Sequence, residues 1–282
     1  MIEVVRVGLA ATIQDGGRPG WAHIGVPRSG ALDQPALRRA NGRVGNPPDA
    51  AGIEVTLRGL RLRFDVGATV AVTGAPAAVT VDDEPVAFAT AVPVPAGSVL
   101  TIGPATTGVR TYVAVAGAVG VAPVLGSRST DTLSGLGPTP LAAGARLDIG
   151  SERALLVDEP EPPMPTNEAT LRLRFGPRDD WFTAGARETV LGSAYQLTPL
   201  SNRVGARLAG PALTRAQVGE LASEPMLLGA VQVLPDGQPV IFLADHPTTG
   251  GYPVLGVVTA ADLALVAQVR PGGTVRFRGF ER

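Results

Sequence analysis

The chain has no cysteine, which excludes disulfides, thiolate nucleophiles and cysteine-ligated metal sites. It has no lysine either, so all 24 of its basic residues are arginine. Arginine stays protonated and forms no Schiff base, which removes lysine-dependent covalent catalysis and the lysine-bearing phosphate loop of the Walker type. For the same reason no biotin, lipoate or pyridoxal phosphate can be attached through a lysine of this chain. Histidine is scarce: His23 and His246 are the only two, without H-E-x-x-H or paired-histidine spacing, so no metal site is expected. A G-x-S-x-G nucleophile elbow is absent as well. Although 45 % of the residues are apolar, no run approaches the ~20 apolar residues of a membrane-spanning helix. The opening MIEVVRVGLAATIQD lacks the basic-then-apolar layout of a signal peptide. These features lead to the expectation of a soluble, cytoplasmic protein. A formal net charge of −1 gives no broad basic footprint for nucleic acid.

What is present points to short strands. The 282 residues suffice for two modest domains, and 36 glycines and 26 prolines spread along the chain break it into short elements. From Gly52 to Ile149 successive strands are expected: LRLRF at 60–64 alternates, VDDEPV places a turn after AAVTV, and TYVAVAGAV suits a fully buried strand. GAVQVLPDGQPVIFL carries a hairpin signal in Pro235-Asp236-Gly237. Three helices are expected. The first starts at an Asp33 or Gln34 cap and stops at Asn41-Gly42, the second opens at Pro177, and the third has Thr259 and Asp262 at capping-box spacing. DEPEPPMPTN, residues 158–167, has no periodicity and is rich in proline and acid, as a linker would be. A mainly β chain follows, with an N-terminal domain over 1–157 and a C-terminal domain over 168–282. LRLRF recurs at 171–175, and NRVG at 202–205 echoes NGRVG at 41–45, as related domains or a biased composition would both produce.

Three stretches concentrate polar groups. In DHPTTGGYP, residues 245–253, an apolar strand runs into an acid, an imidazole, two threonines, two glycines and a tyrosine. Gly250 and Gly251 suit either a turn at positive φ or backbone N–H groups presented to an anion. In the N-terminal stretch, Asp15 and Arg18 read as a structural clamp or a catalytic pair. Ser29-Gly30 ahead of a helix suits an anion, and Asp33 suits a helix cap. In LSNRVGARLAG, Asn202 and Arg203 suit a carboxylate clamp or a surface salt bridge. Glu54 and Glu224 beside strands read as solvated or functional, and Gln232 amid apolar residues requires partners. The inventory therefore allows a metal-independent site of carboxylates, hydroxyls, arginine and backbone amides.

QDGGRPGWAHIGVPRSGALDQPALRRAN, Gly45-Asn46, IEVTLRG, SNRVGARLAG, the Ser223-Glu224 to GAVQVLPDGQPV stretch and DHPTTGGYP occur in one order. Together they resemble the allophanate hydrolase subunit 2 family, whose members are also known as C-type 5-oxoprolinase subunits, KipA-like or biotin-dependent carboxyltransferase-like proteins. The resemblance spans essentially the whole chain. It implies two cyclophilin-like β-barrel domains with a few short helices. It also implies a KipI-like partner (allophanate hydrolase subunit 1, the B-type 5-oxoprolinase subunit), a LamB/YcsF-like subunit, and ATP-dependent conversion of 5-oxoproline to glutamate. Two alternatives come with it: a carboxyltransferase component, as in urea carboxylase, using biotin carried in trans, and a non-catalytic KipA-like regulator of a kinase inhibitor. The family motifs fall on Gln14, Asp15, Arg18, Ser29, Gly30, Asp33, Asn41, Glu54, Asn202, Arg203, Gln232, Asp245, Thr248, Thr249, Gly250, Gly251 and Tyr252. Of these, Asp245, Thr248, Thr249 and Tyr252 are the expected catalytic residues. Asn202, Arg203, Gln232, Gly250, Gly251, Glu54, Ser29, Gly30 and Asp33 are expected around a small carboxylate substrate, with ATP used in the assembled complex. The pattern departs at Pro247, where the family commonly has glutamine, so no amide acts there.

Overall fold

Alternation decides the strands. In Leu60–Phe64 the leucines and the phenylalanine are fully buried while Arg61 and Arg63 face outward, as a period of two requires. Arg110–Val115, by contrast, is buried at all six positions, because it runs between two neighbours and under a helix. The computed structural model describes residues 1–154, 164–217, 219 and 221–280. These form two compact units: Met1–Arg18 with Asp33–Asp131 and Gly135–Pro165, and Pro19–Leu32 with Thr132–Ser134 and Thr166–Arg282. The segments 19–32 and 132–134 thus group with the second unit rather than with the sequence around them. Residues 158–163 of the expected linker lie outside the described residues.

The first unit carries a seven-stranded and a five-stranded sheet. Ile2–Val7 pairs antiparallel with Leu60–Phe64 in the larger sheet, and Arg110–Val115 lies between Gly52–Thr56 and Ala68–Gly74 in the smaller. Residues of both sheets, among them Ile2, Leu62, Ile53 and Val113, share one apolar core. Asp82 and Asp83 both take left-handed φ, 49° and 67°, in the tight turn between Ala77–Val81 and Glu84–Pro85. That is the backbone a two-residue hairpin needs, and aspartate tolerates it better than most residues. The helix Gln34–Arg43 opens as expected: Asp33 accepts a hydrogen bond from the Ala36 N–H at 3.1 Å, and Pro35 sits in the first turn.

In the second unit seven strands close into a barrel in the order Glu168–Phe175, Val254–Val258, Ala230–Val233, Pro239–Phe242, Gly205–Ala209, Ala194–Leu197 and Thr274–Gly279. Closure is parallel, Glu168–Phe175 against Thr274–Gly279, and it removes the exposed edges of an open sheet. The expected hairpin at 230–242 is present, with Asp236 accepting from the Gln238 N–H and Gly237 at φ 78°. Two helices differ from expectation. The second runs over Ala184–Gly192, past Pro177, because Thr183 accepts from the Ala186 N–H and so caps it one turn later; Asp179–Trp181 makes a separate 3-10 turn. The third, Ala260–Gln268, has Thr259 at its N-cap without a side-chain bond to a backbone N–H; the Thr259 N–H donates to the Arg172 carbonyl at 3.1 Å, and Arg172 donates three hydrogen bonds to Asp262. The NRVG echo does not carry structure: 41–45 ends a helix, whereas 202–205 is a turn. No helix among the described residues is long and apolar enough to cross a membrane.

Candidate functional site

Within the second unit the strand Pro239–Phe242 runs on to Asp245, whose side chain has no exposed surface. Its Oδ2 accepts from Arg203 Nε at 2.9 Å, and its Oδ1 accepts from Arg203 Nη2 at 3.0 Å, a fork that fixes both groups. Ser29 Oγ donates to Oδ1 at 3.0 Å, while the Thr132 N–H and Oγ1 donate to Oδ2 at 3.0 and 2.7 Å. Arg203 also donates from Nη2 to the Gly30 carbonyl at 2.6 Å. Ser29 and Gly30 take left-handed φ of 55° and 99°, a strained conformation for serine that these bonds hold in place. Burial alone would raise the Asp245 pKa. The Arg203 charge and the hydrogen bonds from Arg203 and Thr132 outweigh it and hold the carboxyl below the usual range. Arg203 therefore forms a salt bridge, but a buried one rather than the surface pair the sequence suggested, and its fork is occupied by Asp245. Asn202, exposed, accepts from the Val204 and Gly205 N–H groups at 2.8 and 3.2 Å and shapes the turn that delivers Arg203.

Beyond Asp245 the chain comes to the surface. His246 is buried, its Nδ1 2.8 Å from the Pro247 carbonyl, and then Thr249 and Tyr252 are exposed with Thr248, Gly250 and Gly251 half-buried. Thr249–Gly250 pairs with Glu224–Pro225, and the Met226 N–H donates to the Thr248 carbonyl at 2.9 Å. Neither Gly250 nor Gly251 has positive φ, so of the two alternatives for this pair the positive-φ turn is not formed. Gly250 serves packing instead: a Cβ there would stand 2.8 Å from Gln232 Nε2 and 3.3 Å from Met226. Gln232 finds the partners it requires, donating to the Tyr252 carbonyl at 3.0 Å and touching the Met226 sulfur at 3.9 Å. Glu224 receives Arg178 Nε at 2.9 and 3.0 Å and contacts Nη2 as well; those hydrogen bonds lower its pKa.

Glu54 and Asp33 belong to the first unit. Glu54 is buried, accepting from Tyr112 Oη at 2.7 Å and paired with Arg110 at 3.5 Å, and the same Oη accepts from the Asp33 N–H at 2.8 Å. Asp15 and Arg18 each grip the neighbouring loop. Asp15 accepts from Ser127 Oγ at 2.6 Å, and Arg18 donates to the carbonyls of Val124 and Ser129. Asn41 donates to the carbonyls of Pro48 and Ala50, and Gln14 to that of Thr130. These motif residues shape local structure.

The structure thus gathers Ser29, Gly30, Arg203 and Asp245 into a clamp, and Gln232, Gly250 and Tyr252 into an adjoining strip of the same unit. Thr132, Arg178, Met226 and Arg215, whose guanidinium carbon lies 5.8 Å from the centre of the Tyr252 ring, join them without having been singled out in the sequence. Thr132 lies 113 positions from Asp245, and Met226 is an ordinary apolar residue by type, so no local pattern marked them. Among the described residues no three histidine, aspartate or glutamate side chains gather as metal ligands would.

The carboxyltransferase domain family, subdomain A and B, matches residues 24–279. The chain is 38 % identical over 280 residues to the C-type subunit of 5-oxoprolinase from Escherichia coli (strain K12), covering 98 % of this chain and 90 % of that one. It is 35 % identical over 282 residues to the protein of the same name from Haemophilus influenzae, again covering 98 % and 90 %. The crystal structure of the K. lactis urea amidolyase superposes with a TM-score of 0.92 at 30 % identity over 99 % of this chain, which spans 19 % of that longer one. The chain belongs to the carboxyltransferase domain family, subdomain A and B.

Proposed function

We propose that this chain is the C-type subunit of a 5-oxoprolinase, acting in the hydrolysis of 5-oxo-L-proline to L-glutamate coupled to ATP. In this reading it works in the cytoplasm as part of a hetero-oligomer with a KipI-like and a LamB/YcsF-like subunit. The observation that carries the reading is the near full-length kinship to two relatives that bear the name of this 5-oxoprolinase component.

The chemistry fits the residues at hand. Hydrolysis adds water across the lactam C–N bond, and amide resonance makes the carbonyl a poor electrophile until hydrogen-bond donors stabilise the oxyanion that develops on it. The Thr248 and Thr249 hydroxyls are assigned that role, and the Tyr252 phenol is assigned to the same site, with Gly250 and Gly251 adding no side chains between them. Asp245 and Arg203 are assigned to positioning: the buried pair holds Ser29, Gly30 and Thr132 in place and transfers no proton. Gln232 fixes the backbone at Tyr252. ATP is used in the complex without a lysine phosphate loop from this chain.

The test is glutamate release from 5-oxoproline and ATP by the purified three-subunit mixture and by the mixture lacking this chain. Release by the complete mixture alone supports the reading. A second reading, carboxyl transfer, is favoured by the likeness to urea amidolyase. Avidin-sensitive activity with a biotinylated protein, and no glutamate release, would establish it instead.

A further inference from the structure

Arg203 is consumed by Asp245 and the Gly30 carbonyl, which leaves open which cation meets the substrate's own carboxylate. Arg215 stands in a different condition. Its backbone is fixed by an isolated bridge to Phe182, and the next residue donates its N–H to the Trp181 carbonyl at 2.8 Å. Its side chain is half-buried, and its Nη2 donates to the Val233 carbonyl at 2.7 Å. Its guanidinium carbon lies 5.8 Å from the centre of the Tyr252 ring. No carboxylate pairs with it among the described residues, and its Nε is buried without a hydrogen-bond partner. Among the described residues the terminal Nη1 makes no hydrogen bond, and the residue as a whole is half-buried.

A guanidinium kept half-desolvated without a counter-charge is costly, and an unmade buried N–H adds to that cost. Such a cost is characteristic of a site that gains its partner from a ligand. The position agrees. Arg215 bonds the carbonyl of Val233, Gln232 bonds the carbonyl of Tyr252, and the Val233 N–H donates to the Pro253 carbonyl at 3.1 Å, so Arg215 and Tyr252 meet at the end of one barrel strand. We infer that Arg215, backed by the Tyr252 ring, is the carboxylate-recognition residue of the site, taking the planar carboxylate group of a small monocarboxylate onto its Nη edge. The inference rests on the 5-oxoprolinase reading for the identity of that carboxylate. It assigns Arg215 substrate discrimination and leaves the reacting carbonyl to the threonines.

Arg215→Lys and Arg215→Gln test it in the reconstituted complex, with 5-oxoproline and its carboxamide as paired substrates. Lysine retains the charge above the ring and loses the fork; glutamine loses both. The expected result is a KM for 5-oxoproline raised about 10- to 100-fold in Arg215→Gln, as loss of charge-assisted hydrogen bonds produces, with kcat/KM for the carboxamide little changed. Preference for the acid over the amide then collapses, which a merely structural role would not bring about. If both variants keep the wild-type preference, the assignment is overturned while the 5-oxoprolinase reading stands. If the wild-type complex releases no glutamate, that reading has failed, and the site is tested by titrating the full-length chain with acetate while following arginine Nε–H signals by NMR. A shift that is present in wild type and absent in Arg215→Gln upholds the carboxylate site, and no shift overturns it.

Discussion

Replacing Asp245 by asparagine probes the buried pair with the least change of shape. The carboxylate has no exposed surface, and the Arg203 side chain is 9 % exposed. Five donors converge on it: Arg203 Nε and Nη2, Ser29 Oγ, and the Thr132 N–H and Oγ1, at 2.7–3.0 Å. Asparagine removes the charge and turns an N–H group toward one set of those donors, leaving a buried guanidinium without its counter-ion. Breaking a buried pair from one side costs about 3–5 kcal/mol, against ~0–1 for an exposed one. At about 2–4 °C per kcal/mol, the unfolding transition of the second unit is expected to fall by roughly 6–20 °C at pH 7. The sign of the pH dependence follows from the lowered Asp245 pKa. Stability from the ionised carboxylate is present above its ordinary 3.8 and is lost as pH falls through the lower folded-state value. The gap between wild type and variant should therefore be full at pH 7 and close in strong acid. Differential scanning calorimetry across pH measures both effects. A fall below about 1 kcal/mol at pH 7, or a gap independent of pH, would refute the pairing as a structural clamp.

Gly250→Ala should destabilise by about 1–3 kcal/mol, since its Cβ would stand 2.8 Å from Gln232 Nε2; a urea midpoint equal to wild type would show that the strip yields freely. Asp33→Ala removes the cap of the helix Gln34–Arg43 and should cost about 1 kcal/mol, read by chemical denaturation of the first unit, with no loss contradicting the capping role.

The fold was legible where its signals are local. The Asp33 cap and the Pro235-Asp236-Gly237 hairpin depend on neighbours within a few positions and form as expected; of the buried strand expected over TYVAVAGAV, only the part to Val115 forms, because Gly117 and Ala118 take positive φ and turn the chain. Asp245 shows the limit. It stood among the expected catalytic residues with no partner in view, because Arg203 lies 42 positions away and Ser29 216, and no periodicity joins residues so far apart. Gly250 shows another. A glycine signals that a side chain is unwelcome without saying whether dihedral or space forbids it, and here space does. Thr259 and Asp262 had capping-box spacing, yet Arg172, distant in sequence, offered Asp262 a better partner than the helix end did. Arg215 carried no signal at all, because its meaning comes from Tyr252 and from the carboxylate it lacks.

The placement of the chemistry on the threonine-glycine strip is tested most directly by Thr249→Val, with turnover in the assembled complex and melting temperature measured on the same preparation. Valine keeps the branched shape of an exposed residue and removes only the hydroxyl, so stability should hold. The kcat for glutamate release is expected to fall by about 10²–10³, as loss of an oxyanion donor does elsewhere. Turnover close to wild type, with the complex intact, would contradict it and leave Thr249 as part of a plain strand.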